Sequence, residues 1–409
     1  MSKSIVYILV MLFFFTGEIC FGQVKPEKDP SRTDYPMSES EMNQLIQSYQ
    51  PQIGRSYLQM PEDFKNRETQ RSLLDSRGNE FWLTFMRNLN GANSRFLDLT
   101  CGEDATGTIS IPGIAFSTNF TISANTVTRI NIPLAAEIIT SGTIDNLGIK
   151  VTSDKEITAY GVSGNEASTD GYLGLPVDIL GNQYLVMTYP ILTWGGFLPQ
   201  EGWAPQFAIV SPYDNNVVTI TPKDMTVNGN PAGVPFSVTL NQGQTYLVRG
   251  RLNNSYNADQ TGSIISSTLP VAVFSGSSCA SVPQNFAACD HLISQIPPIS
   301  TWGQTFVTRP LQTRFNGDTW RFLSSQNGTQ LFLNGSLAAT LNFGDFYETV
   351  LTVPTFVEAS NPILTVQFSN SSSFDGVVSD PFMMIIPPFQ QYLDSYTFAT
   401  PVEGFTGHF

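Results

Sequence analysis

An all-β chain of three tandem antiparallel β-sandwich-like repeats, packed as one body, is predicted by three features of this 409-residue sequence. From Gly78 onward, short apolar alternations return about every 8–12 residues between Gly, Asn, Asp and Pro, the spacing of strands and turns. Those segments recur three times in one order. Charged residues make up only 13% of the chain, with 32 Gly and 26 Pro, so Ser, Thr, Asn and Gln cover the surface, as suits an extracellular β protein. A β-propeller-like arrangement is the alternative, but its four-stranded blades need only about 45 residues each.

Taken in order, Met1 to Lys3 is a short basic start and Ile5 to Thr16 an apolar run, followed by Gly17, Glu18, Cys20 and Gly22. The run is too short to cross about 30 Å of hydrocarbon, so residues 1–22 are expected to be a signal peptide cut after Gly22. Ile19 is bulky where lipidation of Cys20 would want a small residue. Residues 23–78 are polar and lack alternation. Ser38 and Glu41 have capping-box spacing before Met42, Leu45 and Ile46, and Phe64 to Leu74 carries Leu73 and Leu74. Two short helices in a linker or strap are expected there.

Three repeats are expected at 79–191, 192–312 and 313–401. Each opens on an apolar strand (Phe81 to Phe85, Phe207 to Ser211, Trp320 to Ser324), followed by the strands of Ile109, Val218 and Leu331. A strand, turn and returning strand come next, at Phe120 to Ile132, Phe236 to Val248 and Ala339 to Leu351. Ser153 to Tyr160, Ser267 to Phe274 and Ser360 to Val366 follow, and each repeat closes between prolines: Pro176 to Pro190, Pro297 to Pro310 and Pro387 to Pro401. Leu83, Ile209 and Phe322 should then lie on matching inward faces. Residues 402–409 read as the start of a truncated fourth unit.

Cys279 and Cys289 stand ten positions apart and are expected to form a disulfide in an oxidising compartment, with Cys101 buried and unpaired. The net charge of −14 and the absence of a basic cluster exclude nucleic acid and disfavour anionic membrane. No other apolar stretch reaches the roughly 18 residues of a membrane span. Asp290-His291 is the one adjacent acid and base near a thiol. A hydrolase would use His291 as general base, whereas the plainer reading seats it in a turn beside the disulfide. Asp98 with Glu103 and Asp104, and Asp214-Asn215-Asn216, offer oxygen ligands for Ca²⁺. Their spacing does not reproduce a calcium loop, and turn chemistry accounts for them. No catalytic residue, metal site or cofactor is therefore assigned. Trp194, Phe197, Trp203 and Trp302 lie in Pro/Gly-rich connections and are the candidate ligand contacts, with packing between repeats as the alternative.

The stretch Gly78-Asn79-Glu80-Phe81-Trp82-Leu83-Thr84-Phe85 resembles the opening of the IgGFc-binding protein N-terminal domain family. Cys279-Ala280-Ser281-Val282-Pro283, Ala288-Cys289-Asp290-His291-Leu292, Gln295-Ile296-Pro297-Pro298 and Trp302-Gly303 are similar to its central motif. Asp380-Pro381-Phe382, Pro387-Pro388 and Gln391-Tyr392 extend the likeness into the third unit. The resemblance implies a secreted or surface protein, of a family with many large bacterial members and an animal mucus protein able to bind antibody Fc. It brings no catalytic residues. The leader ending in Phe-Gly-Gln looks like those of gliding environmental bacteria. The expected function is binding or adhesion to an extracellular glycoprotein or glycan. A structural part in a matrix or gliding apparatus is the alternative, and a secreted hydrolase a third reading.

Overall fold

In the computed structural model the described residues are 76–392, apart from 90, 166–167, 192–202, 254–255, 258, 285, 313 and 378. The expected signal peptide, nearly all of the strap, the end of the third repeat and the fourth unit lie outside them.

Among the described residues strands dominate, in large sheets of seven, eight and seven strands; seven of each form a group, and the eighth strand of the second sheet is Ile144–Asp145, from the connection before the first group's long strand. The first comprises β1 Gly78–Leu83, β2 Ser94–Thr100, β3 Ala105–Ile111, β4 Phe116–Ile122, β5 Val127–Asn131, β6 Ile149–Asn165 and β7 Ser168–Leu173. In the second are β8 Gly181–Leu185, β9 Pro205–Val210, β10 Asn216–Thr221, β11 Phe236–Leu240, β12 Thr245–Arg249, β13 Ile264–Ala280 and β14 Asp290–Ile296. The third holds β15 Gly303–Thr308, β16 Asp318–Ser324, β17 Thr329–Leu333, β18 Ser336–Leu341, β19 Phe346–Leu351, β20 Thr355–Phe368 and β21 Met383–Ile386.

One long strand organises each group. The first half of β6 pairs with β1 and β3 and its second half with β2 and β7, so the strand passes from one sheet half into the other. β13 and β20 do the same with their equivalents, and every one of these pairings is antiparallel. Seven strands sharing one long strand are a sandwich-like unit, not propeller blades. Alternation decides the faces: along β10, Asn216, Val218 and Ile220 are buried while Val217 is exposed.

Register corrects two readings of the sequence. Gly78, Gly181 and Gly303 lie opposite Ile157, Val271 and Ile363 of the long strands, and each is followed by a bulge. Two residues further along those strands stand Ala159, Val273 and Thr365, opposite Leu99, Ile209 and Phe322. Leu99, not Leu83, is therefore the counterpart of Ile209 and Phe322. Leu83 belongs to β1, whose aromatic run Phe81-Trp82 mimics that of the next strand type. The proline segments also do not close units: Pro176 to Pro190 contains β8 and Pro297 to Pro310 contains β15, and these strands pair into the second and third groups.

Three cores form, and two cross the group boundaries. The first core joins Leu97, Ile109 and Val151 to Val210, Leu247 and Phe274 of the second group. Another joins Ile209, Val218 and Val273 to Leu323, Val366 and Phe368 of the third. Polar junctions are equally buried. Asp170 on β7 accepts amide hydrogen bonds from Ile293 (2.9 Å) and Met383 (3.4 Å), tying the last strands of all three groups together. Arg321 on β16 donates to the Thr188 carbonyl (2.7 Å) and Asp259 (2.8 Å) of the second group and to Glu348 (2.7 Å) of its own. Its guanidinium lies between the rings of Tyr189 and Phe346.

A glycine and a proline make one recurrent contact. A Cβ built on Gly78 would fall 2.3 Å from Pro176 Cβ, on Gly181 2.6 Å from Pro298 Cβ, and on Gly303 2.2 Å from Pro388 Cβ. Only glycine lets these chains approach so closely. Gly303→Ala is expected to cost about 1–3 kcal/mol, the usual range for overpacking, measured as a fall in the denaturant midpoint. Gly102→Ala, with nothing within 4 Å of its new methyl, should leave the midpoint in place.

Candidate functional site

Cys279 is the next-to-last residue of β13 and Cys289 precedes β14, so the excursion between them leaves the sheet and is closed where it begins. The two cysteines are bonded, with Cα atoms 5.2 Å apart. Cys101 is buried and unpaired, its sulfur against the Glu156 carbonyl. Closing so short a loop stabilises by about 2–3 kcal/mol in the chain-entropy account. The loop lies on the third group: Val282 exchanges hydrogen bonds with Ser371 (its amide to Oγ, 2.9 Å; its carbonyl from the Ser371 amide, 2.6 Å), and Ser373 Oγ donates to Ala287. Phe286 and Phe374 meet edge to face at 4.8 Å.

The neighbouring residues 314–317 complete a rim. Arg314 forms an ion pair with Asp375 at 2.9 Å, both side chains only 1% exposed, and also bonds Ser379. Asn316 donates to the Phe374 carbonyl. Between these two anchors Phe315 is 82% exposed. The rim thus presents one exposed aromatic ring, Phe315, with the Phe286–Phe374 pair near it. Pro190 and Ala204 bond to the start of the same excursion: Ser278 shares three hydrogen bonds with Ala204, and the Ser281 amide donates to the Pro190 carbonyl.

Of the predicted contacts, Trp194 and Phe197 lie outside the described residues. Trp203 is half-buried next to Ala204. Trp302 is 8% exposed, joins the second core and donates Nε1–H to the Pro297 carbonyl, so its ring is not offered at the surface. Asp290 and His291 are fully buried. The Asp290 carboxylate accepts the His291 amide at 2.6 Å, and the ring Nδ1 meets the Ser277 carbonyl at 2.9 Å. Burial presses the imidazole pKa down to about 4. The acidic turns serve their own backbone and near neighbours: Asp98 grips Arg129 with both oxygens, Asp104 accepts from the Ala124 amide and Asp214 from Gln242.

Comparison with known proteins bears on this rim. The sequence profile described as IgGFc binding protein matches residues 170–409, which hold the disulfide loop, Phe315 and the Phe286–Phe374 pair. The chain belongs to the IgGFc binding protein family. It is 28% identical over 336 residues to the human IgGFc-binding protein, an alignment covering 79% of this chain and 6% of that relative's length. No solved structure matches it. Among the described residues no helix is long and apolar enough to cross a membrane.

Beneath the rim of this IgGFc binding family member lies a titrating support. Asp318 opens β16 and accepts from the Leu311 amide (2.5 Å) and Gln367 Nε2 (2.8 Å) through Oδ2, while its buried Oδ1 has no partner. Burial pushes its pKa up to about 6, against the lowering pull of those donors and of Arg314. A carboxyl with a raised folded pKa favours the folded state while protonated, and that contribution is lost as pH rises from about 4 through about 6. Asp318→Asn keeps the accepting oxygen and removes the charge. Above pH 6 it is expected to raise stability by about 2–3 kcal/mol, with the gain vanishing near pH 4. Chemical denaturation at pH 4, 6 and 8 reads this directly.

Proposed function

We propose that the chain is an extracellular binding or adhesion module that takes up a glycoprotein or glycan ligand through the aromatic rim around the Cys279–Cys289 loop. One observation carries the reading: Phe315 is 82% exposed although both its neighbours are fixed, Arg314 by a buried ion pair and Asn316 by a hydrogen bond. A large exposed ring flanked by two tethered neighbours suits such a contact, because exposed aromatic rings anchor interfaces. Membership of the IgGFc binding protein family supports a protein partner, the human relative being named for antibody Fc. The disulfide and the predicted leader support secretion. A hydrolase reading gains nothing from Asp290-His291, whose ring is sealed from solvent and bonded to backbone.

The test is a panel of immobilised glycoproteins, glycans and immunoglobulin Fc probed with the purified chain. Phe315→Ala is expected to weaken capture of whichever ligand binds by about 30-fold, the effect of losing an anchor worth about 2 kcal/mol. Binding unchanged in this variant would place the contact elsewhere.

A further inference from the structure

The rim is electrically neutral, and that narrows what it can hold. The stretches that build and flank it, 280–289, 310–317 and 371–379, contain one cationic and one anionic side chain in all, Arg314 and Asp375. Those two pair with each other at 2.9 Å, each side chain 1% exposed, so neither charge is offered to a ligand. Arg309 and Asp380, just outside these stretches, are half-buried and neither is without a partner. What reaches the surface is uncharged: the ring of Phe315, the carboxamides of Gln312 and Asn316, the methyls of Ala287 and Ala288, and Ser373.

A ligand suited to such a surface brings no charge and needs little area. A carboxylate or sulfate would find no free guanidinium or ammonium in these stretches and would meet the repulsion of a chain of net charge −14. A cation would find no carboxylate, because Asp375 is spent on Arg314. A broad protein contact takes about 800 Å² on each side and a central cluster of anchors, which is more than one offered ring among small and polar neighbours. A single sugar ring matches what is there. Its C–H face can lie on the electron-rich face of Phe315, and its hydroxyls, which both donate and accept, suit carboxamides, which do the same.

Resting on the rim reading above, we propose that the ligand is an uncharged sugar at the end of a glycan, its ring face stacked on Phe315 and its hydroxyls paired with Gln312 and Asn316, and that sialylated and sulfated glycans are rejected. A glycoprotein partner is then held through its neutral sugars.

Saturation-transfer NMR on the full chain tests it, with lactose and the methyl glycosides of mannose and N-acetylglucosamine as neutral probes and sialyllactose as the anionic comparison. At least one neutral probe should bind in the millimolar range, insensitive to salt, with sialyllactose about tenfold weaker. Phe315→Ala should abolish the signal and Gln312→Ala weaken it about fivefold, and since both side chains are exposed the variants should keep the parent melting curve. No neutral probe bound at tens of millimolar, or sialyllactose bound more tightly than every neutral probe, overturns the proposal. Capture of an immobilised glycoprotein separates this inference from the rim reading. Periodate oxidation of its sugars should end capture, and sialidase treatment should preserve or increase it. Capture that falls with Phe315→Ala yet survives periodate overturns the sugar and leaves the rim, whereas capture indifferent to Phe315→Ala removes both.

Discussion

Ile209→Asp is expected to yield no cooperatively folded protein at 25 °C. The side chain is fully buried on β9, opposite Val273 on one side and Tyr246 on the other, in a core that includes Leu323, Val366 and Phe368 of the next group. Losing the isoleucine removes about 1.5–3 kcal/mol of burial. Placing an unpaired carboxylate there adds several more. Domains hold about 5–15 kcal/mol in total, and because the core is shared the loss spreads to the third group. Near-ultraviolet circular dichroism should lose its aromatic signal, and a native spectrum with an unchanged melting curve would contradict the shared core. Asn215→Ala, at the nearby turn, is a graded comparison. The residue holds a φ of 55°, which alanine adopts less readily than asparagine, while its amide bond to Asn241 is kept, so the loss should be about 1 kcal/mol.

Arg321→Ala is the second large effect, expected at about 3–5 kcal/mol. The guanidinium is 4% exposed and holds Asp259 below the usual carboxylate range, against burial that pushes the other way. Removing it strands Asp259 and leaves the Thr188 carbonyl without its charged donor. Since those groups belong to the second group and Arg321 to the third, the single calorimetric transition expected of the intact chain should split into two. Arg321→Lys should recover little, because a point charge cannot meet Asp259, Glu348 and a carbonyl at once. One sharp transition in the alanine variant, at the parent temperature, would show that the apolar core alone couples the groups.

Much of the architecture was legible because period-two burial leaves a direct trace: the strands of Ile109, Val218 and Leu331, and the long strands after them, lie where the alternation places them. The disulfide was legible from its spacing. Boundaries were not. β8 reads Gly-Asn-Gln-Tyr-Leu, too polar at its start to announce a strand, and its partner sits about 80 residues on in β13. The Gly–Pro contacts had a signal, three glycines each some 85–117 residues ahead of a proline, but hydrophobic periodicity is blind to it. At the rim, Phe315-Asn316-Gly317 reads as a turn. What makes Phe315 conspicuous is the burial of Arg314 by Asp375, sixty-one positions away, which no local pattern encodes.

The glycine and proline contacts carry a consequence for how such a chain can be cut or recombined. Pro176 leads into the second group yet packs on the first strand of the first, and Pro298 repeats this one step later. The groups overlap like roof tiles, each pinned by the leading edge of its successor. A fragment ending after Leu173 would leave the crevice at Gly78 unfilled, whereas one extended through Leu180 would carry its own pin. An exchangeable module therefore runs from one glycine past the following proline, and a graft between relatives should be joined inside β8 or β15, not at the apparent gaps between groups.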